Sequence, residues 1–190
     1  MAHRLLSVQV GRARTLNLSG RPVLSAYGKQ PVAGPLAVRN LGLDGDEQAD
    51  PSVHGGLSKA VYAYPAEHYP FWRTVRAQAR VAGWDDTLPP GAMGENLTVT
   101  GLLESEAWIG DVLRFPRCTL VVSEPRFPCF KFEAAMGFRQ SAKLMAQSGY
   151  CGYYLAVREE GLLEAGEPFE LLPGPREVNI AELFAARMKR

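Results

Sequence analysis

Residues 106–129, EAWIGDVLRFPRCTLVVSEPRFPC, decide how the chain is read. EAWIGDVLRF (106–115) and TLVVS (119–123) are short apolar segments rich in β-branched and aromatic residues, and each reads as a strand. Two prolines then stiffen PRFPC (125–129) directly after the second strand's end, where side chains that do chemistry are often mounted.

Outward from this stretch the same grammar recurs. LLSVQV (5–10) alternates and predicts a first strand. GKQPVAGPLAV (28–38) is broken by two prolines and two glycines into loop and short strand. A long polar loop precedes an apolar run over 60–64, and PPGAMGENLTVTG (89–101) is a glycine-rich loop running into a strand. YCGYYLAVR (150–158) predicts a strand, and GLLEAGEPFELL (161–172) a hairpin turning at Ala165-Gly166. Helical spacing covers 66–80, with Pro70 near the start where a helix tolerates it. A second helix is expected over 132–147, with Gly137 its weak point, and Asn179 with Glu182 three residues on opens a third. About eight short strands with two or three helices favour a mainly β fold with α, a β-barrel or strongly curved mixed sheet, over a doubly wound one. Residues 1–175 form the barrel domain in this reading, and PGPRE (173–177) leads to a C-terminal helix over 176–190.

With 190 residues, 46% hydrophobic and 22% charged, the chain suits one globular domain. A formal net charge of +1 offers no general argument for nucleic acid or an anionic membrane as partner. No apolar run approaches the ~18 residues of a membrane span. The N-terminus lacks a signal-peptide hydrophobic segment, so a cytoplasmic protein is expected. Cys118, Cys129 and Cys151 are odd in number with no CxxC pair, which argues against a disulfide framework.

Four segments carry candidate chemistry. DGDEQAD (44–50), with Asp46 and Gln48, looks like a calcium loop but has Ala49 at the sixth position and no glutamate at the twelfth, so it reads as an acidic turn. VHGGLSK (53–59) brackets Gly55 and Gly56 with His54 and Lys59. Such a pair can cradle an anion on backbone N–H groups, or simply make a tight turn, and the spacing is not that of a Walker A loop. GAMGENL (91–97) carries Glu95 and Asn96 into a strand. An asparagine there can read a heterocycle edge or cap a turn. In PRFPCFK (125–131), Arg126 and Lys131 flank Cys129 and favour its thiolate, although a lone cysteine is most often inert core. No papain-like or caspase-like motif surrounds it, and His3, His54, His68 and the cysteines show no zinc spacing. Lys143 reads as a lysine on a solvated helix face.

In order, these pieces resemble the MOSC domain family, named after the C-terminal domain of molybdenum cofactor sulfurases, and in particular its stand-alone bacterial YiiM-type members. The carrying residues are GLDGDEQADPSVHGGLSKAVYAYPAEHYPFW (42–72), GENL (94–97), IGDVLRF (109–115), PRFPC (125–129) and GYYLAVREEGLLEAGEPFEL (152–171). The resemblance implies a β-barrel-rich fold that binds the molybdenum cofactor, a pterin carrying a dithiolene and a phosphate. It also implies that Cys129 is the molybdenum ligand, and it links the chain to reduction of N-hydroxylated compounds such as hydroxylaminopurine bases. With that cofactor, Arg126, Gly55, Gly56 and Lys59 would hold its phosphate, and Gln48 and Asn96 the pterin edge. His54 would also contact the cofactor and be the first choice of proton donor, with Asp46 the second. Electrons would come from an external flavin or haem reductase. Pyridoxal phosphate is not expected, because the aminotransferase-like domain of the sulfurases is absent. Longer YiiM-type proteins carry a three-helix appendage, of which 176–190 would be a truncated remnant. Two other readings stand beside this one. The first is a non-catalytic carrier of the cofactor or of sulfur on Cys129, and the second a cysteine-nucleophile enzyme with Arg126 stabilising an oxyanion.

Overall fold

The computed structural model describes residues 2–18, 21–49 and 55–189. Among them are thirteen short strands and four α-helices, so the expected mainly β fold with helices is the one observed. The strands are β1 (Arg4–Val10), β2 (Arg14–Leu18), β3 (Arg21–Ser25), β4 (Gln30–Pro31), β5 (Leu36–Arg39), β6 (Gly42–Leu43) and β7 (Val61–Pro65). They continue with β8 (Leu97–Thr100), β9 (Val112–Arg114), β10 (Thr119–Pro125), β11 (Tyr153–Glu159), β12 (Gly161–Leu163) and β13 (Glu170–Leu172). The helices are α1 (Tyr69–Gln78), α2 (Phe130–Met136), α3 (Ser141–Ser148) and α4 (Ile180–Met188). None is long and apolar enough to cross a membrane.

Eight strands form one sheet in the order β13-β9-β10-β11-β7-β8-β1-β4. The far ends meet: Arg4 bridges Pro168, and Leu5 N–H donates to the Glu167 carbonyl at 2.9 Å. This return of 166–169 against β1 wraps the sheet towards a barrel and covers an edge that would otherwise expose unpaired backbone. β7 sits in the middle and is buried along its whole length, as expected of a strand covered on both faces. Its neighbour β8 runs parallel to it, and α1 lies in the long connection such a pairing needs. One continuous core joins Leu5, Val61, Trp72, Leu97, Leu120, Phe132 and Leu155.

Three expectations change. The helix expected over 132–147 is two helices, because Gly137 takes a left-handed conformation (φ +83°) and ends α2. The segment 161–172 is not a hairpin: β12 pairs with β5 and β13 with β9, while Gly166 N–H donates to the Leu5 carbonyl at 2.7 Å. Each half has a better edge elsewhere, and the glycine turn serves to dock on β1. Residues 106–111 are largely turn, and the strand there shrinks to β9.

The capping box at Asn179 and Glu182 forms in full, with bonds of 2.8 and 3.2 Å. It holds α4 against the barrel, where Ile180 N–H donates to the Ala107 carbonyl at 2.9 Å and Ile180 and Phe184 join the common core. Phe184 also stacks on Phe127 with ring centroids 5.5 Å apart, so α4 braces the segment that leads to Cys129.

Candidate functional site

The end of β10 delivers the site. After Pro125 the chain leaves the sheet, and Cys129 occupies the N-cap position of α2, its carbonyl accepting from Phe132 N–H at 2.9 Å. The cysteine is half-buried and lines a cleft of about 620 Å³, a volume that includes open solvent. Four other regions line the cleft: Ser25–Tyr27 with Lys29, the acidic turn 46–49, Gly94 and Asn96 before β8, and Lys59 of a 3-10 turn with Tyr62 and Tyr154 of the central sheet.

Arg126 is the unusual member. It is 4% exposed, yet among the described residues no carboxylate pairs with it. Its Nη2 donates to the Tyr27 hydroxyl at 2.6 Å, and its guanidinium lies 5.5, 5.2 and 5.5 Å from the ring centres of Tyr27, Tyr62 and Phe132. Nη1 is buried with no hydrogen-bond partner among the described residues. Burial works against its charge but is outweighed by Tyr27, Tyr62, Tyr154 and the Cys129 thiol, so its pKa is raised. Burial also raises the pKa of the Tyr27, Tyr62 and Tyr154 phenols, against the opposing pull of Arg126. A buried cation with an unused donor is costly unless something anionic meets it. Gly94 makes room for this arrangement, because a Cβ there would lie 2.8 Å from the Tyr27 ring.

Opposite lies a buried ion pair between Lys29 and Asp46. The two Asp46 oxygens also accept from Gly11 N–H at 2.8 Å and Asn96 Nδ2 at 2.8 Å. Both Nδ2 hydrogens of Asn96 are used, the second donating to the Gln9 carbonyl at 3.2 Å, and Oδ1 accepts from Tyr62 N–H at 3.1 Å. Donating to a heterocycle edge, as its sequence context suggests, would require it to release one of the Nδ2 partners. Gln48 is half-buried on the cleft wall, where its Nε2 donates to the Leu41 carbonyl at 3.0 Å. Lys59 lies at the rim, 3.7 Å from Glu124. Gly55 and Gly56 lead into the 3-10 turn Leu57–Lys59, and on this segment the described cleft lining begins at Lys59. His54 lies outside the described residues. The structure thus brings Cys129, Arg126, Asp46, Gln48, Asn96 and Lys59 to one cleft.

None of the three cysteines is in a disulfide. Cys118 and Cys151 are buried, and burial pushes the Cys118 thiol up to about 12, so both behave as core. Lys143 is exposed on α3. Sequence reasoning missed Lys29 and the three cleft tyrosines. Tyr62 and Tyr154 are register partners in the β7–β11 pair, a relation that only strand pairing reveals.

Comparison with known proteins identifies the family and the fold. Residues 50–170 match the profile of the MOSC domain. The chain is 38% identical over 167 residues to Protein YiiM of Escherichia coli (strain K12), covering 87% of this chain and 71% of that protein. It is 35% identical over 188 residues to a Gibberella moniliformis protein named Reductase, covering 96% of this chain and 32% of that longer one. Among solved structures, YiiM from Geobacillus stearothermophilus superposes with a TM-score of 0.78 at 30% identity, over 98% of this chain and 84% of that one.

Proposed function

The chain belongs to the MOSC domain family, and from that membership we propose that it binds the molybdenum cofactor in this cleft and reduces N-hydroxylated compounds with electrons from a separate flavin or haem reductase. One observation carries the reading: a buried Arg126 that has, among the described residues, no carboxylate and no partner for its Nη1 donor, beside a half-buried cysteine. Such a site suits an anionic group that also needs a thiolate. Among the described residues no three His, Cys, Asp or Glu side chains gather as a metal site. That donor set fits a metal that arrives with its own soft ligands and takes one thiolate from the protein.

When bound, the cofactor supplies the two-electron redox chemistry. The Cys129 thiolate would hold it from the end of β10, and Arg126 would balance its negative charge through Nη1. Tyr27, Tyr62 and Tyr154 form the wall beside Arg126 and keep water from it. Lys59 and Gln48 line the rim and wall, where they would meet the cofactor's phosphate and pterin edge. The name Reductase borne by the fungal relative supports a reductive chemistry.

The test is to express the protein in a host that makes the cofactor, and to measure molybdenum and pterin in the wild type and in Cys129→Ser. Stoichiometric cofactor in the wild type, lost with Cys129→Ser, is expected, together with anaerobic reduction of a hydroxylaminopurine by an artificial donor. A wild type with neither metal nor pterin sinks the reading. Bound cofactor without turnover leaves a carrier.

A further inference from the structure

We propose that Lys29, clasped by Asp46 in the cleft wall, is the group that delivers protons to the substrate as its N–O bond is cleaved; the proposal rests on the reductase reading above. Reduction of a hydroxylamine to an amine consumes two electrons and two protons. The N–O bond breaks, an N–H bond forms, and the oxygen leaves as water. The electrons come from the reduced flavin or haem donor. The protons must pass through a protein group or water within reach of the substrate.

Several titratable groups line the cleft; of these Glu47 is exposed and accepts from Ala13 N–H at 2.7 Å, and Lys131 is only half-buried. Arg126 cannot release a proton. The phenols of Tyr27, Tyr62 and Tyr154 are pushed upward by burial, which makes them poor donors. Asp46 uses both oxygens as acceptors, from Gly11 N–H, Asn96 Nδ2 and Lys29 Nζ. Lys59 stands at the rim, 3.7 Å from Glu124.

Lys29 differs from all of these. Its side chain is 8% exposed and that of Asp46 6%, yet both line the cleft. Two glycines clear its path: a Cβ on Gly11 would sit 3.0 Å from Lys29 Cγ, and one on Gly91 would sit 2.7 Å from the Lys29 carbonyl oxygen. A lysine is seldom buried this deeply unless paired, and here the pairing carboxylate is itself anchored by two further donors. The titratable groups acting on Lys29 are Asp46, from the acidic turn, and Glu95, from the loop before β8; both favour its ammonium. Burial outweighs them and leaves its pKa below the ordinary lysine value, nearer the range in which an ammonium is an effective acid.

The experiment compares wild type, Lys29→Met and Lys29→Arg, each loaded with cofactor and assayed for molybdenum and pterin before kinetics. Lys29→Arg keeps a charge for Asp46 but cannot give up a proton, and it serves if Lys29→Met folds poorly. Reduction of a hydroxylaminopurine by a reduced viologen is then followed from roughly pH 6 to 10. In parallel, NMR of lysine side chains follows Lys29 Nζ in wild-type protein without cofactor.

Equal occupancy is expected in all three proteins. The wild-type kcat should fall on the alkaline side, and the Lys29 signal should titrate below the surface lysines. Both variants should lose that limb and about 10²–10⁴-fold of kcat. A Lys29→Arg protein with wild-type rate and limb overturns the proposal. So does a limb near pH 6.5 surviving in Lys29→Met, which would assign the proton to a histidine such as His54. Occupancy falling in step with rate overturns it in favour of a cofactor-holding role, and a Lys29 signal that titrates with the surface lysines overturns it directly. A loaded wild type that reduces nothing overturns the reductase reading and this proposal together, whereas an active wild type with an active Lys29→Arg overturns the proposal alone.

Discussion

Arg126 and Glu95 are both buried charges, 4% and 0% exposed, and the fold treats them oppositely. Glu95 is saturated. Its carboxylate accepts from Gly91 N–H at 2.7 Å, Met93 N–H at 3.0 Å, Thr98 Oγ1 at 2.9 Å and the Tyr69 hydroxyl. It ties the glycine loop, β8 and α1 into one unit and has nothing left to offer a ligand. Arg126 is held by aromatic faces and the Tyr27 phenol, with Nη1 unused among the described residues. Satisfied burial is architecture; unsatisfied burial next to a cleft marks where a ligand completes the structure.

The comparison breaks most visibly at Arg126. Arg126→Met should leave stability within about 1 kcal/mol of wild type, because loss of the Tyr27 hydrogen bond and the ring contacts is offset by no longer burying an Nη1 donor that lacks a partner among the described residues. Cofactor affinity should fall by about 10–100-fold, the loss of a charge-assisted hydrogen bond. Molybdenum content after dialysis, set beside urea unfolding midpoints, reads both quantities. A variant that holds its metal as tightly as wild type would falsify the role given to Nη1.

Glu95→Leu should do the reverse. Four donors lose their acceptor, and an unfolding free energy lower by about 3–5 kcal/mol is expected. Denaturant titration checks this, and a loss under about 1 kcal/mol would show that water replaces the carboxylate without strain.

The contrast also explains what was legible in the sequence. The barrel was readable because short apolar runs between Gly and Pro are local signals, and the Asn179 capping box spans only four residues. The 161–172 segment was misread because a strand does not name its partner: β12 finds β5 and β13 finds β9 far back in the chain. No element was expected over 11–27, where β2 and β3 pair antiparallel and the end of β3 leads Ser25 and Tyr27 to the cleft. Cys129 and Arg126 stood out through their prolines and the family resemblance. Lys29 and Tyr27 did not, because Arg126 meets Tyr27 across 99 residues and Lys29 meets Asp46 across 17, with no motif to announce either. Asp46 was visible as an acidic residue, but its three donors, which suit an anchor, were not.

The pH dependence sharpens the comparison from the Glu95 side. Burial raises the Glu95 pKa above its ordinary 4.5, against the pull of its hydrogen bonds, of which that from Tyr69 is the strongest. The folded state therefore holds this proton more tightly than the unfolded one. Its contribution to stability is fully present below pH 4.5 and is lost as pH rises through the folded pKa. Glu95→Gln cannot titrate, so wild type should lose stability relative to it across that window.

Tyr69→Phe makes the smallest and most specific change. Removing the phenol takes away the bond that most lowers the Glu95 pKa, so that pKa should climb further and the window of falling stability should extend to higher pH. Above the folded Glu95 pKa the variant should be about 1–2 kcal/mol less stable than wild type, the cost of a hydrogen bond to a charged acceptor. Near pH 4, where the carboxyl is protonated in both proteins, the bond has a neutral acceptor and the difference should shrink to below about 1 kcal/mol. Urea unfolding at a series of pH values measures the gap directly. A gap that does not change with pH would mean that Tyr69 packs against the loop without stabilising the Glu95 charge, and that the saturation of Glu95 rests on its backbone donors and Thr98 alone.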